Sequence, residues 1–236
     1  MTVERKEKAV NGPRPYRSPV REAQARQTRR KVVAAARELF VERGYAATSI
    51  PAVAERAGVS TDTVFKRFGS KIALLREVLN VVVGGDDADV PLLERADPEA
   101  MRHEPDQHRQ VRMFAAGMTE QLERLGPLDA ILRSAAAVDT EAAALRNDVQ
   151  LRQRRQAMHA VVGWIAAHGG LRAGMTQDDA AAAVWTLTSP EVHAMLRGTC
   201  GWPSTRYRQW LDDMLTATLL VPPGPPRGPD GPDGPG

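Results

Sequence analysis

Residues 48–71 read TSIPAVAERAGVSTDTVFKRFGSK. Thr48 or Ser49 is placed to cap a short helix running to about Ala57. Pro51 is tolerated because it falls in the first turn, where amide donors lack intrahelical partners anyway. Gly58 permits a sharp turn. Ser60 or Thr61 then caps a second short helix that ends near Phe68. Gly69-Ser70 makes another break, and Ser70 caps a helix from Lys71 to about Val83. Two short helices joined by a Gly-containing turn match a helix-turn-helix. In such a pair the first helix braces across the DNA backbone and the second enters the major groove, which is wide enough to admit it. Val59, Val64 and Phe68 are expected to pack inward. Thr61, Asp62, Thr63, Phe65, Lys66 and Arg67 are left to face the groove or its walls.

Upstream, a helix is expected from about Arg26 to Arg43. Val32, Ala36, Leu39 and Phe40 fall on one helical face, and Gly44 ends the run. Residues 1–24 are polar and basic without apolar period, and Asn11-Gly12-Pro13 and Arg14-Pro15 interrupt any helix, so they read as a disordered arm. Arg14, Arg17 and Arg21 would lie along phosphates or in a minor groove, or stay solvated. Charge divides in the same way. Residues 1–71 hold 16 Lys+Arg against 7 Asp+Glu, a net +9, while the remaining residues carry −6, within an overall +3. A basic head on an acidic body suggests a polyanion partner without separating DNA from RNA or an acidic membrane.

Linked motifs carry a resemblance. The run Thr48–Ser60, the preceding AARELFVERGY (35–45) and the following FKRFGSK (65–71) together resemble the head of TetR-family (tetracycline-repressor-like) regulators. The resemblance implies an all-α fold, with a three-helix DNA-binding head over 25–71 and a larger helical ligand-binding and dimerisation body over 72–221. It implies repression of an operator, a homodimer and a small-molecule effector. An effector-independent regulator, an activator, or a helical ligand binder without specific DNA binding are the rivals. By resemblance, Thr48, Thr63 and Lys71 match positions that touch phosphates. Two residues depart from the pattern. Phe65 stands where Tyr is commonest and lacks its hydroxyl. Asp62 replaces a small residue; its carboxylate would accept from a cytosine amino group, pair with a nearby cation, or serve the helix N-terminus, the reading favoured here.

The body also reads as helix. Val111, Phe114, Ala115, Met118, Leu122 and Leu125 form one apolar stripe, Gly126-Pro127 is expected to stop it, and Leu128 to Val138 gives another helix. A long helix follows from about Thr140 to His168. Thr176 caps the next, through Leu187; Ser189-Pro190 kinks or restarts the chain; and Arg206 to Leu220 is last. The Asp/Pro-rich stretch 84–105 reads as irregular, and 222–236 as a disordered Pro/Gly tail. An effector pocket would draw on Met113, Phe114, Met118, Met158, Trp164 and Trp185, adaptable apolar groups that equally suit a core. Arg124 and Arg133 are cations that would meet an anionic ligand or remain solvated. A dimer face would use Val192, Met195, Leu196, Trp210, Met214 and Leu215, with the monomer's own core as the alternative.

Other chemistry is not encoded. His103 and His108 are five residues apart with Pro105 between them, which is not helical metal spacing, so no metal or cofactor is expected. There is no phosphate loop, no nucleophile elbow and no convergent acid–base set, so no enzyme is expected. The single cysteine, Cys200, excludes an internal disulfide and reads as a buried free thiol. No secretory signal and no apolar run long enough for a membrane span is present, so the cytoplasm is the expected compartment.

Overall fold

The computed structural model describes residues 19–88 and 90–221. The first helix, α1 (Pro19–Ala47), buries Val32, Val33, Ala35, Ala36, Leu39 and Phe40. Its regular part ends at Gly44, whose φ of 75° is the left-handed conformation that glycine adopts without steric cost. It starts earlier than the apolar period predicts. Residues 19–24 of the expected arm are its opening turns, while residues 1–18 of that arm and the whole 222–236 tail lie outside the described residues. The reason is propensity: REAQARQ is made of good helix formers, and these turns are exposed on all sides, so no apolar stripe announces them.

Three short helices follow: α2 (Ile50–Ala57), α3 (Thr61–Phe68) and α4 (Lys71–Gly84). The stretch expected to be irregular instead holds a 3-10 turn at Leu92–Glu94 and α5 (Ala96–Arg102). Pro98 sits in the first turn of α5, where it does no harm, and Met101 anchors the helix in the core. Arg95 organises the approach by donating to the carbonyls of Gly84 and Ala88 and to Asp86.

The main departure is α6 (Gln107–Ala136), one continuous helix through Gly126-Pro127 where a break was expected. A proline inside a helix removes a hydrogen bond, at a cost of ~3 kcal/mol. Here Leu122, Leu125, Leu128 and Leu132 are all buried on both sides of it, which favours keeping the axis unbroken. Next come α7 (Thr140–Arg146), a π-helical stretch at Asn147–Gln153 and α8 (Arg154–Ala167), replacing the single regular helix expected over 140–168. A Thr176–Asp179 capping box opens α9 (Gln177–Leu187). Ser189 caps α10 (Pro190–Ala194), a second π-helical turn spans Met195–Thr199, and α11 (Ser204–Leu219) closes the bundle. Among the described residues the only β pairing is an isolated bridge between Leu171 and Leu220.

Two apolar clusters hold the structure, and they do not divide at residue 71. One joins α1–α4 to Leu125, Leu128, Leu132 and Ala135 of α6 and to Ala142 and Leu145 of α7. The other joins Val111, Phe114, Met118 and Leu122 of α6 to α8, α9 and α11. A single helix therefore crosses both cores. Cys200, expected to be buried, is exposed, because it follows the second π-helical turn at a corner completed by Gly201 at φ 65°. No helix among the described residues is long and apolar enough to cross a membrane.

Candidate nucleic-acid interface

Serine hydroxyls set the ends of the head's short helices. Ser49 accepts from the amide of Ala52, Ser60 from Thr63 and Ser70 from Ala73. Gly58, at φ 67°, returns its amide to the carbonyls of Ala54 and Glu55 and so turns α2 into α3. Val64 is fully buried, with Val59 and Phe68 packed partly against the same cluster. That inward grip leaves Asp62, Phe65, Lys66 and Arg67 exposed on α3, with Thr61 and Thr63 half-buried beside them.

The exposed face is partly prearranged. Lys66 Nζ lies 2.7 Å from Asp62 one turn earlier, so the carboxylate pairs with a cation, and the capping role belongs to Ser60. Arg67 has no carboxylate partner among the described residues. The Phe65 ring remains 49% exposed, too far out to be a core group. Lys71 Nζ donates to the Tyr45 carbonyl at 2.9 Å and lies 4.2 Å from the centroid of the Tyr45 ring, which holds its charge beside α3. Thr48 is a correction. It is 2% exposed, and its hydroxyl donates inward to the carbonyls of Gly44 at 2.8 Å and Leu39 at 3.1 Å. It ties the α1–α2 corner and does not present its hydroxyl to a phosphate.

Sequence reasoning missed the clamp on α2. Arg56 reaches Glu38 and Glu42 on α1, each at 3.1 Å, and holds the Glu42 carboxyl below its usual range. Residues 14 and 18 apart on different helices leave no periodic signal. The α3 cap is testable: Ser60→Ala should destabilise the protein by ~1 kcal/mol in urea unfolding. No measurable loss would mean that the Ser60 side chain does not hold the helix start.

The contacts between α4 and the body explain how the head is seated. Gln121 and Arg124 of α6 donate to the Val83 and Val82 carbonyls, which a helix C-terminus leaves without intrahelical partners. Arg124 is thus engaged, and Arg133 is exposed. Arg29 of α1 binds Glu77 on α4, and Arg76 of α4 binds Asp148 in the first π-helical stretch at 2.6 Å.

The six candidate pocket residues all gather on the second cluster, with Met113, Trp164 and Trp185 packed partly against it. Phe114, Met118 and Met158 are buried in the second cluster. Met113 lines an open groove of about 700 Å³ between α6 and α11, with His108, Arg112 and Asp212 on its walls. Trp164 lies under Arg102, and Trp185 packs under Arg154 while donating its indole N–H to the Gln150 carbonyl at 3.0 Å. Of the dimer candidates, Met195 and Met214 are exposed, and Val192, Leu196 and Trp210 are half-buried. Leu215 is fully buried and belongs to the monomer's own core. The Trp202 and Trp210 rings meet edge-on at 6.2 Å beside this face. His103 pairs with Glu99, away from His108, and no group of three or more metal-ligating side chains occurs among the described residues.

An exposed basic helix held across a glycine turn from a buried bracing helix defines a helix-turn-helix protein. Residues 32–78 match the family described as "Bacterial regulatory proteins, tetR family". Two curated relatives are similar: the Bacillus subtilis uncharacterized HTH-type transcriptional regulator YvkB, 38% identical over 55 residues, and the Mycolicibacterium smegmatis HTH-type transcriptional activator FasR, 42% identical over 53. These matches cover 23% and 22% of this chain and only 29% and 24% of the relatives' own lengths. A crystal structure of a TetR-family regulator from Rhodococcus sp. shares the fold, with a TM-score of 0.65 at 16% identity over 83% of this chain and 100% of that one. Residues 32–78 thus resemble the TetR-family DNA-binding head, and the described residues share the fold of that solved regulator.

Proposed function

We propose that this chain is a sequence-specific DNA-binding transcriptional regulator. It acts as a homodimer that represses an operator and leaves it when a small-molecule effector binds the helical body. The observation that carries the reading is the outward face of α3, where Phe65, Lys66 and Arg67 are exposed while Val64 anchors the helix from behind. Two such helices related by a twofold axis would enter successive major grooves of a roughly palindromic site. The exposed Met195 and Met214 beside the half-buried Leu196 and Trp210 support a pairing face on the last helices. Effector release would require that the effector bind more tightly to the conformation whose heads are mis-spaced for DNA. The α6 helix, shared by both cores, supports such coupling.

Activation is the second reading, favoured by the similarity to a relative named an activator. The test is binding of the purified protein to the intergenic DNA beside its own coding region, against a scrambled duplex, at two salt concentrations. Protection of a short palindrome that is absent from the scrambled duplex is expected. Equal, steeply salt-dependent binding to both duplexes would reduce the interaction to counterion release and overturn a specific operator at that locus.

A further inference from the structure

The outward tip of α3 carries a charge pair that the fold does not need. Asp62 and Lys66 each lie two residues from Val64, the fully buried anchor, so both project about 160° round the helix from the side that faces the core. Arg67 and Phe65 leave α3 at about 60° and about 100° from Val64, toward its flanks. Lys66 Nζ meets the Asp62 carboxylate at 2.7 Å, and both side chains are mostly exposed. The neighbouring Thr63 hydroxyl is engaged, sharing a hydrogen bond of 2.8 Å with the Ser60 hydroxyl.

An exposed pair of this kind contributes little to stability, and this one ties no second element, since both residues belong to α3. Arg56, by contrast, reaches two carboxylates on α1 and so braces α2 against it. The Asp62–Lys66 pair instead sets a hydrogen-bond acceptor and a donor side by side at the part of α3 that projects furthest from the core. In the major groove guanine shows two acceptors, O6 and N7, and its partner cytosine shows the N4 amino donor. Lys66 matches the guanine edge and Asp62 matches the cytosine amino group, so each charge exchanges its neighbour for a base and neither is left unpaired. An A·T pair fits less well. Adenine puts its amino donor beside N7, where the ammonium would sit, and thymine adds a methyl group.

We infer that Asp62 and Lys66 act together as a specificity-determining couple that reads one G·C base pair in each half-site, and that Asp62 also suppresses attachment to unmatched DNA. The inference rests on the sequence-specific DNA-binding reading and names the residues that make the binding selective. At an unmatched site Lys66 stays neutralised by Asp62, so it adds nothing to the general attraction for phosphates, while a carboxylate without an amino donor is repelled by them. The couple thereby widens the gap between the right site and all others more than it raises affinity for the right one.

Selection from a pool of random duplexes with the full chain tests the couple. The parent should enrich a short site, and changing the base pairs of each half-site one at a time should reveal one G·C position where A·T weakens binding about tenfold. Asp62→Ala and Lys66→Ala should each flatten the preference at that same position and keep it at the others. Asp62→Ala frees Lys66 for a phosphate, so it should also tighten binding to a scrambled duplex about threefold or more at low salt and steepen its salt slope by about one. Thermal midpoints of both variants should match the parent's, because both positions are exposed. The inference is overturned if both variants keep the parent's base profile, if they relax different positions, or if Asp62→Ala binds the scrambled duplex no better than the parent. A clear fall in the Asp62→Ala midpoint would also overturn it, by making the pair a part of the fold. In each of these cases the parent's enriched site still stands, and with it the sequence-specific reading. A pool from which the parent enriches nothing would overturn that reading and the couple together.

Discussion

Phe40→Ala should cost about 3–5 kcal/mol of stability and abolish operator binding. The ring is 0% exposed and stacks on Tyr45 at a centroid distance of 6.0 Å. It lies where α1 meets the rest of the head cluster, so truncation leaves a cavity that rigid helices cannot close. The damage should also travel in a defined direction. That cluster includes Leu125, Leu128 and Leu132 of α6 and Leu145 of α7, whereas Val161, Ile165 and Val184 belong to the other. Hydrogen exchange should therefore show lost protection in α1–α4 and in the second half of α6 before α8 and α9. Phe65→Ala, at an exposed ring, is the stability control and should stay within about 0.5 kcal/mol of the parent. Uniform loss of protection across both clusters would mean that the two cores open as one unit.

Arg67→Ala should weaken operator binding by about 5- to 150-fold, the equivalent of ~1–3 kcal/mol for one good contact to a guanine edge. The residue is exposed in the last turn of α3 and, unlike Lys66, has no carboxylate to be drawn away from before it meets DNA. Binding titrations on the operator and on duplexes changed one base pair at a time separate two roles. If Arg67 reads a base, the variant loses discrimination at one position. If it meets a phosphate, affinity falls evenly across sequences and the salt slope drops by about one. An unchanged affinity would place the contact surface elsewhere and remove α3 as the recognition helix. Folding is not at stake in this variant, since the side chain has no hydrogen-bonded partner among the described residues.

Much of the head is legible residue by residue. Ser60, Gly58 and Ser70 act within three or four positions of themselves, through a hydroxyl on a nearby amide or a backbone angle that glycine accepts. Apolar period placed Val64 inward for a similarly local reason. Thr48 shows the limit: a hydroxyl one residue before the cap reads like a second cap or a phosphate ligand, yet it turns back to Leu39 and Gly44. The Gly126-Pro127 pair shows the same limit in the body. Its local preference is to end a helix, and the leucines on either side, buried in two different cores, outweigh it.

Sequence alone therefore determined an all-helical chain, a helix-turn-helix head and the residues on the outer face of α3, because caps, turns and periodicity act over one or two helical turns. Only the tertiary structure decided that α6 serves both cores and that Arg76 grips Asp148 from 72 residues away. Those outcomes depend on which helices pack together and on which charges are desolvated when they do, and neither is written in the spacing of neighbouring residues.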